Sequence, residues 1–356
     1  MKKIGASSRR VSIVVIAYNV ERYVADALTS VVFQLRPEDE IIFVDDGSTD
    51  QTLAVAAEVL KGAPNAHVIA QANGGPGAAR NNGLRQAKGD YVLFLDGDDW
   101  IGADALEALH AAADGADMVL SNRRRFWEST GKYTTKDMFH VRKGGAAADL
   151  PEIMQIKAIH GKLFRRKFLI ENDIFFPEGM SSEDYVFSYL TYAKAERIEL
   201  LPKITYYYRK RAEALANPSL TQGRLTHFNL TSRFRQIELT QEIVREQGMK
   251  ARFPTVAFDR HDYDSRLMRH LEKVPVAPPE QRREALSLVR LFLAKHRTAA
   301  LQAARRKVRP IYEAILDGRE DDAVAAIRAY AADKAAAKAP SAPVAAPTPI
   351  GAQPLI

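Results

Sequence analysis

The chain has 356 residues, 46% hydrophobic and 27% charged, a balance that suits a soluble globular protein of about two domains. It contains no cysteine, which excludes disulfides, thiolate metal sites and cysteine nucleophiles and agrees with a reducing compartment. A formal net charge of +7 favours anionic partners: nucleotides, phosphate-rich polymers, acidic lipid or nucleic acid.

No apolar core of a signal peptide follows the opening MKKIGASSRR, and no run approaches the ~20 apolar residues of a spanning helix. The expectation is a soluble or peripheral protein, cytoplasmic or at the inner face of the membrane. Val11–Ala17 (VSIVVIA) reads as a strand buried on both faces, and Ala25–Gln34 as a helix. Glu40–Asp45 is a second buried strand. Ser48 and Gln51 have the spacing of a capping box, which predicts a helix from about Gln51 to Leu60. A short strand at His67–Ala70, a loop over Asn73–Gly77, a helix over Ala78–Ala87 and a strand at Tyr91–Leu95 follow. Asp104 is expected to cap the next helix, and Met118–Ser121 to form a strand. Arg123–Gly145 reads as an extended, partly exposed excursion. Helices are expected near Glu152–Ile159, over Arg165–Glu171 and from Glu183, with strands at Ile198–Leu200 and Thr205–Tyr208. From about Leu220 to Tyr330 the pattern is helical and charged, broken at Pro275–Pro279, and the end of the chain is an Ala/Pro-rich disordered tail. This predicts an α/β domain over 1–211, a basic helical module over 212–335 and a tail over 336–356. Alternating strands and helices imply a mostly parallel, Rossmann-like sheet with ligands at the carboxyl ends of its strands.

The polar, glycine-rich segments lie at those strand ends. Asp96-Gly97-Asp98-Asp99 puts three carboxylates in four residues, which suits Mg²⁺ or Mn²⁺ shared with a diphosphate and equally suits a solvated acidic turn. A calcium-binding helical loop is excluded, because Trp100 and Ile101 stand where an oxygen ligand and a glycine are required. Asp45-Asp46-Gly47-Ser48 either meets a base or ribose or merely shapes its turn. Asn73–Gly77 precedes a helix and can present backbone N–H groups to an anion. No G-x-G-x-x-G or G-K-[ST] supports a dinucleotide or P-loop site. Arg80, a cation in a first helical turn, points to a ligand. Glu183-Asp184 at a helix start reads as a cap or as a general base. Tyr206-Tyr207-Tyr208-Arg209-Lys210-Arg211 reads as a phosphate-binding loop or a plain basic one.

The order of these segments is the informative feature. Ile16–Asn19 (IAYN), VDDGSTD, GGPGAARNNG, FLDGDDW and a late Glu-Asp pair together resemble the family 2 glycosyltransferases of GT-A fold, over residues 10–211. The stretch from KLFRRKF to YYYRKR is similar to bacterial members that build or decorate wall teichoic acids and other envelope polymers. The resemblance implies transfer of a hexose or N-acetylhexosamine from a nucleotide-sugar donor, UDP by likeness alone, to a polymer hydroxyl. It implies a Mn²⁺ or Mg²⁺ cofactor and inversion by single displacement. It places Ala17, Tyr18, Asn19, Asp45, Asp46 and Arg80 around the nucleotide and Asp96 at ribose or metal. Asp98 holds the metal with Asp99 close by, Asp184 is the base, and Arg209, helped by Lys162, closes over the diphosphate. His160 departs from a position where tryptophan is common, and Ala17 from one where proline is frequent.

Nine Lys/Arg within residues 280–309 suggest an anionic polymer, an acidic membrane surface or simply a solvated helix face, and the module could also serve a homo-oligomer. Nucleic acid is not expected. Two rival readings remain: a sugar nucleotidyltransferase, whose lysine-bearing glycine loop is missing after the first strand, and a polymer-binding protein with a catalytically silent GT-A domain.

Overall fold

The computed structural model describes residues 9–135, 138–212 and 224–337. Four parallel strands, β1 (Val11–Ala17), β2 (Glu40–Asp45), β3 (Ala66–Ala70) and β4 (Tyr91–Asp96), stand in spatial order β3-β2-β1-β4. Their crossovers are α1 (Val24–Val32), α2 (Thr52–Leu60) and α3 (Gly75–Gln86). β1 is buried along its whole length, as a run of β-branched residues without a polar face must be. The register sets Ile16 opposite Asp96 and Ala17 opposite Asp45, so the polar segments that follow these strands leave the sheet at one level.

Beyond β4 the chain adds β5 (Trp100–Ile101), α4 (Ala105–Ala112), β6 (Met118–Trp127), β7 (Lys132–Thr135) and β8 (Lys143–Gly145). It continues through β9 (Lys162–Arg165), α5 (Arg166–Glu171), α6 (Glu183–Lys194) and β10 (Ile198–Lys210). The sheet continues β4-β9-β6-β10-β5. β9 runs antiparallel to both β4 and β6, while β10 is parallel to β6. The expectation of a mostly parallel sheet therefore holds for the first half, and the whole sheet is mixed.

Several local expectations change. Ser48 Oγ accepts from Asn19 N, Asp50 Oδ1 accepts from Thr52 N, and no side chain caps α2 at Gln51, so the capping box does not form. Asp104 has a left-handed backbone (φ 55°) and makes no cap bond. α3 starts at Gly75, because Pro76 is preorganised for a first helical turn. Residues 151–155 form a 3₁₀ turn instead of an α-helix. The excursion after Arg123 is the outer half of β6, paired with β7. The two short strands near 198–208 are one 13-residue strand, whose register shifts around Pro202 conceal its continuity.

Two apolar cores cover the two faces of the sheet, and a third lies inside the C-terminal helices, from Leu225 to Ile327. α7 (His227–Glu246) begins the helical region expected from Leu220. Ile243, Val244, Met249, Phe253 and Phe258 pack into the sheet core, so the expected boundary at 212 is not a break in packing. The last helix, Glu320–Ala336, ends where the tail was expected to begin; residues 338–356 of that tail lie outside the described residues. Most of the basic run is engaged internally. Lys295, Arg305 and Lys307 pair with Glu238, Asp264 and Asp333, and Arg282, Arg290 and Arg309 donate to backbone carbonyls. A polymer or membrane contact through this stretch would rest on the exposed Arg283, Arg297 and Arg306. No helix among the described residues is long and apolar enough to cross a membrane.

α3 sits against β1 at Gly83, where a β-carbon would lie 2.3 Å from Val14 Cγ1. Val14 is fully buried and stiff at χ1, so it cannot yield cheaply. Gly83→Ala is expected to destabilise the fold by ~1–3 kcal/mol, read as a lowered midpoint of thermal or urea unfolding. An unchanged midpoint would mean that α3 does not press on β1.

Candidate active site

The cleft is built on the carboxyl ends of β1, β2 and β4. After β1, Asn19 takes a left-handed backbone (φ 50°) and its Oδ1 accepts from Thr49 N, tying the first turn to the second. Ala17 is buried, while Tyr18 stays 48% exposed, a flat face at the cleft edge. The two aspartates after β2 differ. Asp46 accepts from Gln71 Nε2, Gly74 N and Gly75 N, so it is spent on organising the start of α3. Asp45 accepts from Ser48 N through Oδ2, and its buried Oδ1 has no partner. Of the two aspartates placed around the nucleotide by the resemblance, Asp45 thus keeps a free acceptor oxygen.

Gly97 lets the turn after β4 close against β1: a β-carbon there would lie 2.9 Å from Ile16 O and 3.0 Å from Ala17 Cβ. The three carboxylates that follow have different surroundings. Asp96 accepts from Arg80 Nη2 at 2.7 Å and contacts His160 Nε2 at 3.3 Å. Burial raises its pKa, but Arg80 and His160 outweigh burial and hold it below the usual carboxylate range. Asp98 pairs with Arg211 at 2.6 Å. Asp99 is fully buried and accepts from Tyr206 Oη and Arg209 N, each at 2.7 Å. Burial, then Asp98 and Asp96, push its pKa well up. Asp96 and Asp98 are thus each paired with an arginine, while burial and its two acidic neighbours disfavour the charged form of Asp99.

Arg80 joins the two halves of the site. It is 4% exposed, and it bonds Asp96 through Nη2 and Glu183 through Nη1. Burial disfavours its charge, and Asp96 and Glu183 more than restore it. Burial, opposed by Arg80 and reinforced by Asp184, pushes Glu183 up to about 7. Ser182 precedes α6 with a left-handed backbone (φ 65°), and Asp184 follows in the first turn, partly exposed. Asp184 makes no hydrogen bond or ion pair with a described residue, yet its charge acts on Arg80, His160, Lys162 and Arg233. Glu183, Arg211 and His160 were not among the residues singled out for the site from sequence. Arg211 was legible only as the end of a basic run, and His160 only as a departure from a common tryptophan.

The two expected phosphate ligands have different surroundings. The Arg209 guanidinium lies 4.8 Å from the ring centres of both Tyr23 and Trp100, pairs with Asp26 at 2.9 Å and donates through Nε to Asp98 O, so it sits against the acidic turn. Arg211, just past the end of β10, meets the Asp98 carboxylate. Lys162 is fully buried, with Nζ donating to Ile156 O and Ser188 Oγ. It supports the wall behind Asp184 and does not reach the cleft.

Residues 12–172 match the family model described as Glycosyl transferase family 2. This part of the chain is a family 2 glycosyltransferase domain. Across 207 residues the chain is 35% identical to a poly(ribitol-phosphate) beta-glucosyltransferase of Bacillus spizizenii, covering 56% of this chain and 32% of that protein. It is 34% identical over 212 residues to the putative glycosyltransferase EpsH of Bacillus subtilis, covering 56% and 60% of the two chains. The chain therefore spans between about a third and three fifths of these curated relatives. Among solved structures, S. aureus TarS 1-349 in complex with UDP-GlcNAc superposes with a TM-score of 0.70 at 24% identity, covering 91% of this chain and 92% of that one. That likeness includes the C-terminal helices and supports the GT-A fold.

The glycosyltransferase domain contains a group chemically suited to a hard divalent cation. Ligand atoms of Asp96, Asp99 and His160 all lie within 4.8 Å of one another. His160 stacks between Tyr206 and Tyr208, and Arg123 Nη1 lies 3.0 Å from its Nδ1. A guanidinium has only donors, so Nδ1 accepts, and in the neutral ring Nε2 carries the proton and donates to Asp96. That places His160 as a positioning residue for Asp96. Asp98 is paired with Arg211, whose guanidinium stands where a cation would neutralise the cluster, and exchange for Mn²⁺ or Mg²⁺ fits these oxygens.

If Asp98 is the main ligand, saturating Mn²⁺ at about 100 times its Kd should stabilise the fold by ~2.7 kcal/mol. Asp98→Asn should remove that stabilisation, Arg211→Gln should increase Mn²⁺ affinity, and His160→Gln should leave it within a few-fold. A Mn²⁺ effect that survives Asp98→Asn and vanishes in His160→Gln would transfer the site to the Asp96, Asp99 and His160 group.

Proposed function

We propose that the chain moves a hexose or N-acetylhexosamine from a nucleotide-sugar donor, with UDP as its nucleotide, to a hydroxyl of a cell-envelope polymer, inverting the anomeric carbon. The observation that carries this reading is the Arg80 bridge. It holds Asp184, unpaired among the described residues, beside the carboxylates at the end of β4.

In this reading Tyr18 stacks on the base, and Asp45 Oδ1 accepts a hydrogen bond from the base or ribose. Asp96, held by Arg80 and His160, meets the ribose. Asp184 accepts the proton of the acceptor hydroxyl as its oxygen bonds to the anomeric carbon. The bond from that carbon to the diphosphate breaks, and its electron pair leaves with the diphosphate. Arg211, released from Asp98, binds the departing diphosphate. A Mn²⁺ or Mg²⁺ ion held by Asp98 would supply electrostatic stabilisation of the same charge. No nucleophile motif favours a covalent intermediate.

The acceptor reading rests on charge. A cavity of about 340 Å³ beside the site is lined by Arg123, Arg124, Arg125, Gln155 and Tyr208, and Arg124 Nε is buried there without a partner. Such a groove suits a polymer carrying phosphate, and the relatives named for poly(ribitol-phosphate) transfer agree in class.

Nucleotide release from a panel of UDP- and GDP-sugars with Mn²⁺ or Mg²⁺ tests this. Asp184→Asn should lower kcat by ~10²–10⁴-fold while donor binding persists. Undiminished turnover in Asp184→Asn would remove that residue as the base. Absence of both donor binding and turnover in the wild type would overturn the reading.

A further inference from the structure

A second cavity, of about 680 Å³, lies where the segment before β9 meets the helical region. Its walls include Glu152, Gln155 and Lys157 from one side and Arg260, His261 and Ser265 from the other. Glu152 pairs with Lys143, so the balance on the walls is cationic. Lys157 is only 4% exposed and has no hydrogen-bond acceptor or carboxylate partner among the described residues; its Nζ lies 5.0 Å from the ring centre of Tyr189. Burial, with Arg266 adding, pushes its pKa down to about 6, so its charge awaits an incoming negative group.

Other polar atoms without partners gather around the same place. Tyr189 Oη, His261 Nε2, Asp262 Oδ1 and all three guanidinium nitrogens of Arg266 are buried with no hydrogen bond. These are half of the twelve such atoms among the described residues, which marks one location and not scattered imperfection. Arg266 is 2% exposed, lies 3.9 Å from the ring centre of Tyr185 and has only a long 3.4 Å contact with Asp262. Residues 260–266, which supply His261, Asp262 and Arg266, form a π-helical turn, a strained form that is frequent at functional sites. Buried donors without acceptors are costly, and of these residues His261 lines the cavity, where it and Lys157 offer donors to a bound oxyanion.

The geometry points to a second ligand site in this cavity, for a phosphate or phosphodiester group held by Lys157, His261 and Arg260. It is separate from the donor cleft but connected to it. Lys157 O accepts from Ser188 Oγ, which accepts from Lys162 Nζ, and Ser188 lies on α6, whose first turn carries Asp184. Arg266 stacks on Tyr185, the residue after Asp184. An anion there braces the helix that presents the base.

Sulfate binding, followed by calorimetry on the full chain with the donor cleft filled by UDP and Mg²⁺, tests the site; sulfate is used because it does not titrate near neutral pH. Lys157→Met should weaken sulfate binding about tenfold or more. Without sulfate, the same variant should melt at or above the wild-type temperature, because an unpaired buried amine is replaced by an apolar group of similar volume. A purely structural lysine would give the opposite melting result. Ser265→Asp, which adds a negative charge to the wall, should weaken binding as well. A short glycerol-phosphate oligomer that binds tenfold tighter than sulfate identifies a polymer segment as occupant, and equal affinity identifies a free oxyanion. No sulfate binding by the wild type, or unchanged binding by Lys157→Met, would overturn the site. This inference rests on the transferase reading only for the helix it braces: nucleotide release measured separately, without added UDP, tests that reading through Asp184→Asn, while sulfate binding tests this site through Lys157→Met, so the two failures are distinguishable.

Discussion

The site depends on one buried guanidinium. Arg80 enters from the second turn of α3, one turn further in than the sequence placed it because the helix starts at Gly75, and is nearly inaccessible to solvent. Its charge is tolerable only because Asp96 and Glu183 reach it from elements 16 and 103 residues away in sequence. Losing one partner of such a buried pair typically costs ~3–5 kcal/mol, so the fold holds the end of β4 and the start of α6 together or not at all. Asp184 is carried into the site by this constraint without being part of it. It remains unpaired among the described residues, which suits the role of base proposed for it.

A second constraint acts from the opposite wall. β10 runs 13 residues, beyond the point where Pro202 interrupts its ladder, and delivers Tyr206, Tyr208 and Arg209, with Arg211 just after its end, to the acidic turn. Tyr206 and the Arg209 backbone fix Asp99, His160 is stacked between two tyrosines, and Arg211 covers Asp98. The carboxylates are thus partly balanced by protein cations before any donor arrives. Asp99, whose charged form is disfavoured by burial and by Asp98 and Asp96, and Asp98 beneath Arg211 are where an external cation has most to gain.

Much of this frame could be read from the residues. β1, β2 and β4 are continuous apolar runs, and a polar, glycine-containing segment follows each of them at one level of the sheet, so the location of the cleft was legible. What escaped was decided by tertiary contacts. β9 is four residues long and begins with a lysine, and only its insertion between β4 and β6 makes it a central strand. Lys162 therefore read as a phosphate ligand while it is a buried donor to a backbone carbonyl and a serine. Nothing local distinguishes Arg209 from Arg211; the aromatic pair Tyr23 and Trp100, distant in sequence, flanks Arg209 while it bonds the Asp98 carbonyl, and Arg211, past the end of β10, pairs with the Asp98 carboxylate. Asp45 and Asp46 read alike in the sequence, and only the loop before α3, which bonds Asp46, sets them apart.

The most direct test of the single-displacement account is the configuration of the first product released. Donor hydrolysis by the wild type, followed by proton NMR before mutarotation, needs no knowledge of the acceptor. From an α-linked nucleotide sugar, one free base at Asp184 and no enzyme nucleophile predict that the β-anomer appears first. Initial release of the α-anomer would require two displacements and a covalent intermediate, and would contradict the roles assigned to Asp184 and to the Arg80 bridge that places it.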